Sequence, residues 1–274
     1  MNTFAAIGST VNLAAIDPDA TPGFKGGKDQ AAAELVANGA ELGELQERLF
    51  AESKFGGTRN VLLVLQAMDT AGKGGIVRHV VGGVDPQGVR IFAFKAPTEE
   101  EKRHDFLWRV RNQLPPSGVI GVFDRSHYES VLIHRVRSLS TPEEIEERYG
   151  LIVEFERELV ASGTIIIKVM LHISSEEQKV RLQDRLDRAD KHWKYNPGDV
   201  DERMLWPAYQ EAYELAIART ATADAPWHVI PANKKWHARW RVQQLLLDAL
   251  RGLDPQWPKA SYDVEAEKLR LAAT

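Results

Sequence analysis

Hydrophobic and polar positions along the chain fall into blocks of two kinds. Val61-Leu62-Leu63-Val64-Leu65 is apolar at every position and too short for a helix, the pattern of a strand in the middle of a parallel sheet covered on both faces. Similar runs recur at 89–94, 119–123, 164–171 and 227–230, separated by segments of helical length. Leu35, Leu42, Leu45 and Leu49 repeat at helical spacing and predict a helix over 29–54, weakened by Gly39 and Gly43 and ended by Gly56-Gly57. Helix starts are marked as well. Thr98 with Glu101 and Ser174 with Glu177 fit capping boxes, and Thr141-Pro142-Glu143-Glu144 puts proline at the first helical position. Alternating strands and helices predict an α/β, doubly wound sheet, whose ligands belong in the loops outside the carboxyl ends of the strands.

The first of those loops is rich in glycine. After the first long strand come Gln66-Ala67-Met68-Asp69-Thr70-Ala71-Gly72-Lys73-Gly74-Gly75 and then a helical run, Ile76-Val77-Arg78-His79-Val80-Val81. Backbone amides in such a loop and at the following helix start point into one concavity, and Lys73 adds a full positive charge, so the segment is similar to a phosphate-binding P-loop. It departs from that pattern at Ala67, where glycine is usual, and at Gly74, where a magnesium-binding hydroxyl is usual. Asp69 lies inside the loop, and a carboxylate about 4 Å from a phosphate is repelled by roughly 4 kcal/mol at an effective dielectric near 20. A bridging metal reverses that sign, so Asp69 is expected to take the metal role of the absent hydroxyl.

The run at 119–123 leads directly into Asp124-Arg125-Ser126-His127-Tyr128-Glu129. A carboxylate at the end of a central strand can hold magnesium against phosphoryl groups, and Arg125 can offset charge developing on the transferred group. A lone aspartate there more often caps a turn; its pairing with Asp69 gives it weight. His127 is an alternative phosphoryl nucleophile, whereas His104 reads as a surface or packing residue. Lys95, at the end of the second strand, can reach phosphate from the same edge. Arg135 and Arg137 straddle Val136 and would face oppositely in an extended segment, so at most one of them is expected at the site. Residues 181–194 are strongly charged, and Asn196-Pro197-Gly198 follows. They form either a solvated helix end or a mobile lid that brings Arg185, Lys191 and Lys194 to a polyanion and excludes water, with Trp193 stacking on a base or anchoring the lid.

Composition narrows the field. The chain has 274 residues, 43% hydrophobic and 27% charged, with nine Phe, seven Trp and six Tyr, which supports a globular core and a single domain over 1–274. An arm rich in Gly, Ala, Pro and Thr covers 1–28, and the lid segment covers 181–206. No cysteine is present, which excludes disulfide scaffolds, Cys-ligated zinc, iron–sulfur clusters and thiol catalysis. No apolar run approaches the roughly 20 residues of a membrane span, and the start lacks a basic segment before an apolar one; a cytoplasmic protein is expected. The net charge is −4, yet residues 54–137 hold 13 Lys and Arg against 8 Asp and Glu. A basic centre in an acidic chain is a solvated face or a polyanion site.

These motifs together resemble the polyphosphate kinase 2 family. The resemblance rests on residues 68–75, Phe94-Lys95-Ala96-Pro97-Thr98, Leu107-Trp108-Arg109, residues 123–129, the lid-like segment 185–194 and the helix carrying Trp206, Tyr209 and Tyr213, in matching order. It implies a P-loop kinase-like three-layer α/β/α fold with a five-stranded parallel sheet of order 2-3-1-4-5 and a helical lid. It also implies a magnesium-dependent enzyme, with manganese a substitute, that reversibly transfers the terminal phosphoryl group of inorganic polyphosphate to AMP or ADP, giving ADP or ATP. A homodimer or homotetramer is implied, without nucleic-acid or membrane partners. By matching position, Asp69 and Asp124 bind metal and Lys73 and Arg125 stabilise charge. Ala71, Gly72, Gly74, Arg78, Lys95, Arg135, Arg185, Lys191 and Lys194 are the candidate phosphate and nucleotide contacts. Ala67 stands where the family usually has glycine. His127-Tyr128-Glu129 is similar to the subgroup accepting both AMP and ADP, where ADP-preferring members commonly have Trp-Tyr-Asn, so Glu129 is a candidate for acceptor choice. Two rivals remain: an ATP-dependent nucleoside monophosphate kinase, and a non-enzymatic polyanion-binding module.

Overall fold

The apolar runs pair side by side in a computed structural model, which describes residues 5–6 and 10–274. The strands are β1 (Ala5–Ala6), β2 (Asn60–Ala67), β3 (Val89–Ala93), β4 (Ile120–Asp124), β5 (Thr164–His172) and β6 (Trp227–Pro231), in the order β1-β6-β5-β2-β4-β3. Pairings among β2 to β6 are parallel. Counting those five in sequence order gives 2-3-1-4-5, as expected. The short β1 adds a sixth strand, antiparallel to β6, which the sequence pattern does not announce because two alanines carry no periodicity.

The helices are α1 (Lys28–Ser53), α2 (Lys73–His79), α3 (Trp108–Arg111), α4 (Ile133–Val136), α5 (Pro142–Ala161), α6 (Ser175–Asp187), α7 (Gly198–Met204), α8 (Trp206–Thr220), α9 (Lys235–Leu253) and α10 (Val264–Ala272). Successive side chains of a strand point to opposite faces, and β2 shows why its run is apolar throughout. Leu62 and Val64 join Ile152 and Phe155 of α5 and Tyr213 and Ile217 of α8 in one core. Val61, Leu63 and Leu65 join Leu42 and Leu49 of α1 and Val242, Leu246 and Leu250 of α9 in the other. Three layers result, with the sheet between.

Helix starts follow the sequence signals. Thr141 and Glu144 form a reciprocal capping box on α5, and Thr98 and Glu101 form one on a single 3-10 turn. At α6 only half of the box exists. Ser174 Oγ accepts from Glu177 N, but Ser174 N donates to Asn233 Oδ1 instead of to Glu177. Residues 10–27 of the arm lie against the protein: Leu13 N donates to Glu214 Oε1 at 2.7 Å, and the Phe24 ring packs edge-on against Trp236 and Trp240. The remainder of the expected arm, apart from β1, lies outside the described residues.

Register sets the site. Leu65 of β2 pairs with Asp124 of β4, and Ala67 pairs with Leu171 of β5, so the loops after β2 and β4 leave the same sheet edge side by side. Arg125 N donates to Leu65 O at 3.0 Å, which extends that pairing one residue into the loop.

Candidate active site

The loop between β2 and α2 turns through two left-handed residues, Thr70 (φ 66°) and Gly72 (φ 118°). Gly72 suits that geometry; Thr70 is strained, as is Arg125 (φ 63°) in the neighbouring loop. Non-glycine residues in this region cost on the order of 1–3 kcal/mol and persist where surrounding contacts impose them. Both strained residues lie in the two loops that form the site. Lys73 Nζ folds back to donate to Ala67 O at 3.1 Å, which holds its charge over the loop. The amides of Gly72, Lys73 and Gly74 take part in none of the backbone hydrogen bonds found among the described residues, which leaves a free set of donors at the helix start.

Asp69 and Arg125 meet. Arg125 Nη2 donates to Asp69 Oδ1 at 2.8 Å, both side chains being partly exposed. Burial works against the Arg125 charge, yet Glu129, Asp69 and Asp124 outweigh it and raise its affinity for the proton. Glu129 is brought close too. Its carboxyl is pushed up by burial, Arg125 and Lys73 pull it down, and Asp69 pushes it up further. With the Gln66 amide turned to satisfy both neighbours, Gln66 donates to Glu129 Oε1 at 3.0 Å and accepts from Ser126 Oγ and N. Asp124 ends β4 in the same loop pair, half-buried.

A cavity of about 630 Å³ opens beside this cluster, lined by Asp69, Lys95, Arg125 and Glu129 among others. Its walls are partly apolar, with Phe94, Phe106, Leu132 and Ile133 among the lining residues. The Arg109 guanidinium lies 5.1 Å from the Phe94 ring centroid and donates to Lys95 O, fixing the loop that carries Lys95. His104, which also lines the cavity, stacks on Trp108 at 4.1 Å between centroids. His127 is buried, and its Nε2 lies 3.2 Å from Glu156 Oε1. Its neighbours tie Glu156 further: Tyr128 Oη donates to Glu156 Oε1 at 2.7 Å and Lys168 Nζ to Glu156 Oε2 at 2.6 Å. That arrangement ties His127, which also lines the cavity, into a buried hydrogen-bonded cluster with Tyr128, Glu156 and Lys168.

Most of the remaining sequence candidates have partners of their own. Residues 133–136 are helical rather than extended, and since i and i+2 on a helix also point to nearly opposite sides, Arg135 and Arg137 still diverge. Arg135 pairs with Glu211 of α8, and Arg137 with Glu202 of α7. Arg185 Nη1 donates to Lys194 O at 2.8 Å and Asp199 Oδ2 at 3.0 Å. Lys191 pairs with Asp184, and Lys194 sits 4.8 Å from the ring centroid of its neighbour Trp193, itself 78% exposed. Arg78 lies on α2 beside His79, whose pKa is lowered by burial, Arg239 and Arg78.

Three residues escaped the sequence argument. Asp199 of α7 lines the cavity, and burial together with Asp69 raises its carboxyl. Arg239 of α9 lies against α2, with Nη2 3.6 Å from where a side chain on Gly75 would begin. Arg181 of α6 hydrogen-bonds the phosphate-type loop from below. Each comes from an element distant in sequence, so local spacing carries no signal for them.

Known proteins match this chain over most of its length. The Polyphosphate kinase 2 (PPK2) family pattern matches residues 25–258. An AMP/ADP-polyphosphate phosphotransferase from Meiothermus ruber is 49% identical over 247 residues, spanning 90% of this chain and 91% of that one. An ADP-polyphosphate phosphotransferase from Rhodopseudomonas palustris is 39% identical over 84% of this chain and 82% of its own. The crystal structure of Polyphosphate Kinase 2 from Arthrobacter aurescens TC1 superposes with a TM-score of 0.95 at 58% identity, covering 98% of this chain and 95% of that one. With an aspartate set in its phosphate-type loop and an Asp-Arg pair ending the adjacent strand, the chain belongs to the polyphosphate kinase 2 family.

Proposed function

We propose that this protein transfers the terminal phosphoryl group of inorganic polyphosphate to AMP or ADP, in line and without a covalent enzyme intermediate. One observation carries the reading: Asp69, from inside the loop, meets Arg125, from the end of β4, at the mouth of a cavity large enough for a nucleotide. The activities named for the Meiothermus and Rhodopseudomonas relatives support it. A site that only binds anions gains nothing from Asp69, because its charge opposes every phosphate.

The acids around this centre also fit magnesium. Asp69, Asp124, Glu129 and Asp199 face Arg125, Lys73 and Arg185, one positive charge fewer than the acids. Phosphates would add more negative charge. Asp69 and Asp124 supply the hard oxygen donors that magnesium takes one or two at a time, with water and phosphate oxygens completing its shell. Bound there, the ion would neutralise phosphate charge during transfer. No group of three or more His, Asp or Glu forms a ready-made cage among the described residues, so water and phosphate oxygens would have to complete the shell.

Lys73 and the free amides of Gly72, Lys73 and Gly74 would hold the donor phosphates, and Arg125 would take charge that develops on the transferred group. Arg78 and Arg239 continue the positive track along α2 toward α9. The acceptor base and ribose would occupy the part-apolar cavity near Phe94, Phe106 and Lys95. The part of the lid segment 181–206 beyond Arg181, the end of α6 together with α7, acts as the lid: closing it over the donor keeps water from the activated phosphoryl group. Glu129, within reach of the acceptor's terminal phosphate, is the candidate for admitting AMP as well as ADP.

A donor and acceptor matrix tests this. Polyphosphate or ATP is supplied with AMP, ADP, GMP or GDP, with and without magnesium, and products are separated by ion exchange. Polyphosphate-dependent, magnesium-dependent ATP or ADP formation is expected; transfer from ATP alone would make the protein a nucleoside monophosphate kinase, and salt-sensitive binding without turnover a polyanion-binding module.

A further inference from the structure

Arg181 stands beneath the loop with all its donors committed. An arginine side chain carries five N–H donors in a fixed planar fork. Nε donates to Glu177 Oε1 at 2.7 Å. Nη1 donates to Thr70 O at 3.0 Å and Ala71 O at 2.9 Å. Nη2 donates to Ala232 O at 2.7 Å and Asn233 O at 2.9 Å. Five acceptors therefore meet five donors on a side chain that is only 5% exposed. Four of the acceptors are backbone carbonyls in stretches that belong to no helix or strand, so nothing regular would hold them without this residue.

The consequence lies on the opposite side of the loop. A planar trans peptide points its C=O and N–H in opposite directions. Holding the Thr70 and Ala71 carbonyls toward Arg181 turns the next two amides, Ala71 and Gly72, away from it. Ala71 N is taken by Met68 O at 3.3 Å, which closes the turn. Gly72 N is left facing out with those of Lys73 and Gly74. Gln178, one turn earlier on α6, adds a bond from Nε2 to Asp69 O at 3.2 Å. The left-handed Thr70 is thus held by contacts from outside its own segment.

The other end of the fork reaches the arm. Asn233 N donates to Pro18 O at 3.1 Å, its Nδ2 donates to Asp19 Oδ2 at 3.0 Å, and its Oδ1 accepts from Ser174 N at the start of α6. Lys234 Nζ adds a bond to Asp19 O at 2.7 Å. Loop, lid helix and arm meet through two adjacent side chains.

We propose that Arg181 is a positioning residue for phosphoryl transfer: it presets the phosphate loop through the Thr70 and Ala71 carbonyls, and through Asn233 it links that setting to the docked arm around Asp19. The donor it serves rests on the polyphosphate reading above, but the loop geometry does not.

Arg181→Lys keeps the charge and loses the fork; Asp19→Ala loosens the far end and leaves every loop contact in place. Both are compared with the unaltered protein by steady-state kinetics, by calorimetric binding of inorganic triphosphate with magnesium, and by amide hydrogen exchange across 69–76. For Arg181→Lys the expected results are a fall in turnover of about a hundredfold with KM for ADP changed less than about threefold, because Arg181 does not line the acceptor cavity. Triphosphate binding should weaken at least about tenfold, and exchange should quicken in 69–76 while the strands stay protected. Asp19→Ala should shift the same quantities in the same direction by a smaller factor, and it decides the matter if Arg181→Lys fails to fold. Unchanged triphosphate affinity and unchanged exchange at 69–76 in a folded variant overturn the proposal, as does loss of protection spread evenly over the protein. If the unaltered protein binds triphosphate but transfers nothing from polyphosphate, the functional reading fails and the loop inference is still judged by binding and exchange.

Discussion

Replacing Asp69 with asparagine separates the chemistry of the loop from its architecture. Asparagine matches the shape of the carboxylate and keeps an oxygen that can accept from Arg125 Nη2, now 2.8 Å away. The backbone around it is held from elsewhere: Gln178 bonds Asp69 O, and Arg181 bonds Thr70 O and Ala71 O. The substitution therefore removes one negative charge and little else. A unit charge about 4 Å from its partner at an effective dielectric near 20 is worth roughly 4 kcal/mol. If that interaction is realised in the transition state, turnover falls by about a thousandfold, since each 1.36 kcal/mol is a factor of about ten.

Stability should move little. Asp69 pushes up the carboxyls of Glu129 and Asp199, while its ion pair with Arg125 works in the opposite sense. Neutralising it relieves those carboxyls and gives up the charge of that pair, so the melting temperature of Asp69→Asn without magnesium should stay close to that of the unaltered chain. The assay follows ATP formed from ADP and polyphosphate over a magnesium titration, with melting measured in parallel. Turnover within about tenfold of normal at saturating magnesium would remove the Asp69 carboxylate from the mechanism. Lost activity together with a lowered melting temperature would make Asp69 a structural residue.

Further outcomes follow from the same structure. Chelating divalent cations should abolish transfer, and magnesium should restore it; transfer that persists in excess chelator contradicts the Asp69 and Asp124 assignment. Lys168 is fully buried and donates to Glu156 Oε2, Thr220 O and Tyr128 Oη, so Lys168→Met strands the Glu156 carboxylate and should destabilise by about 3–5 kcal/mol in urea unfolding. Adding Glu156→Leu should recover part of that loss, and a pair of additive changes would show that the two groups are not coupled. Burial, with help from Arg241, lowers the His228 pKa from 6.5 to about 4. The folded protein then binds fewer protons than the unfolded chain between those values, so stability is lost as pH falls through that window, by roughly 3 kcal/mol at its lower end. His228→Gln should flatten the dependence of unfolding free energy on pH between 6.5 and 4, and an unchanged slope would assign it to other groups.

The parts of the site that were legible in the sequence are those in which the chemistry is continuous along the chain. The loop from Ala67 to Gly75 and the Asp124-Arg125 step each sit at the end of an apolar run, so finding the strand finds the residue. Reading the lid was harder. A charged stretch such as 181–194 says that solvent or a polyanion is near, but not which arginine faces which. Arg181 and Arg185 lie one helical turn apart on α6; the first is buried under the loop, and the second pairs with Asp199 across the turn to α7. Asp199 itself lines the same cavity as Asp69 only because α7 folds back toward it, a proximity across 130 residues that no spacing rule contains. Arg135 shows the same limit: 133–136 is one turn of helix that points Arg135 toward Glu211, a partner 76 residues along the chain that local spacing does not name.

Ala67 shows how a departure from a motif can be neutral. A glycine is needed where the backbone must enter the left-handed region or where another chain comes too close for a side chain. Ala67 meets neither condition: it is the last residue of β2, in register with Leu171, and buried without positive φ. Its contribution is its carbonyl, which accepts from Lys73 Nζ and which alanine supplies as well as glycine. The left-handed turns fall instead on Thr70 and Gly72, and only the second has glycine. At Thr70 the strain is met by the Arg181 fork on its carbonyl. The glycine missing from position 67 and the strained threonine at position 70 thus have one explanation: the curvature of the loop is imposed by α6 from outside, so its sequence is free to depart from the pattern where the backbone does not turn.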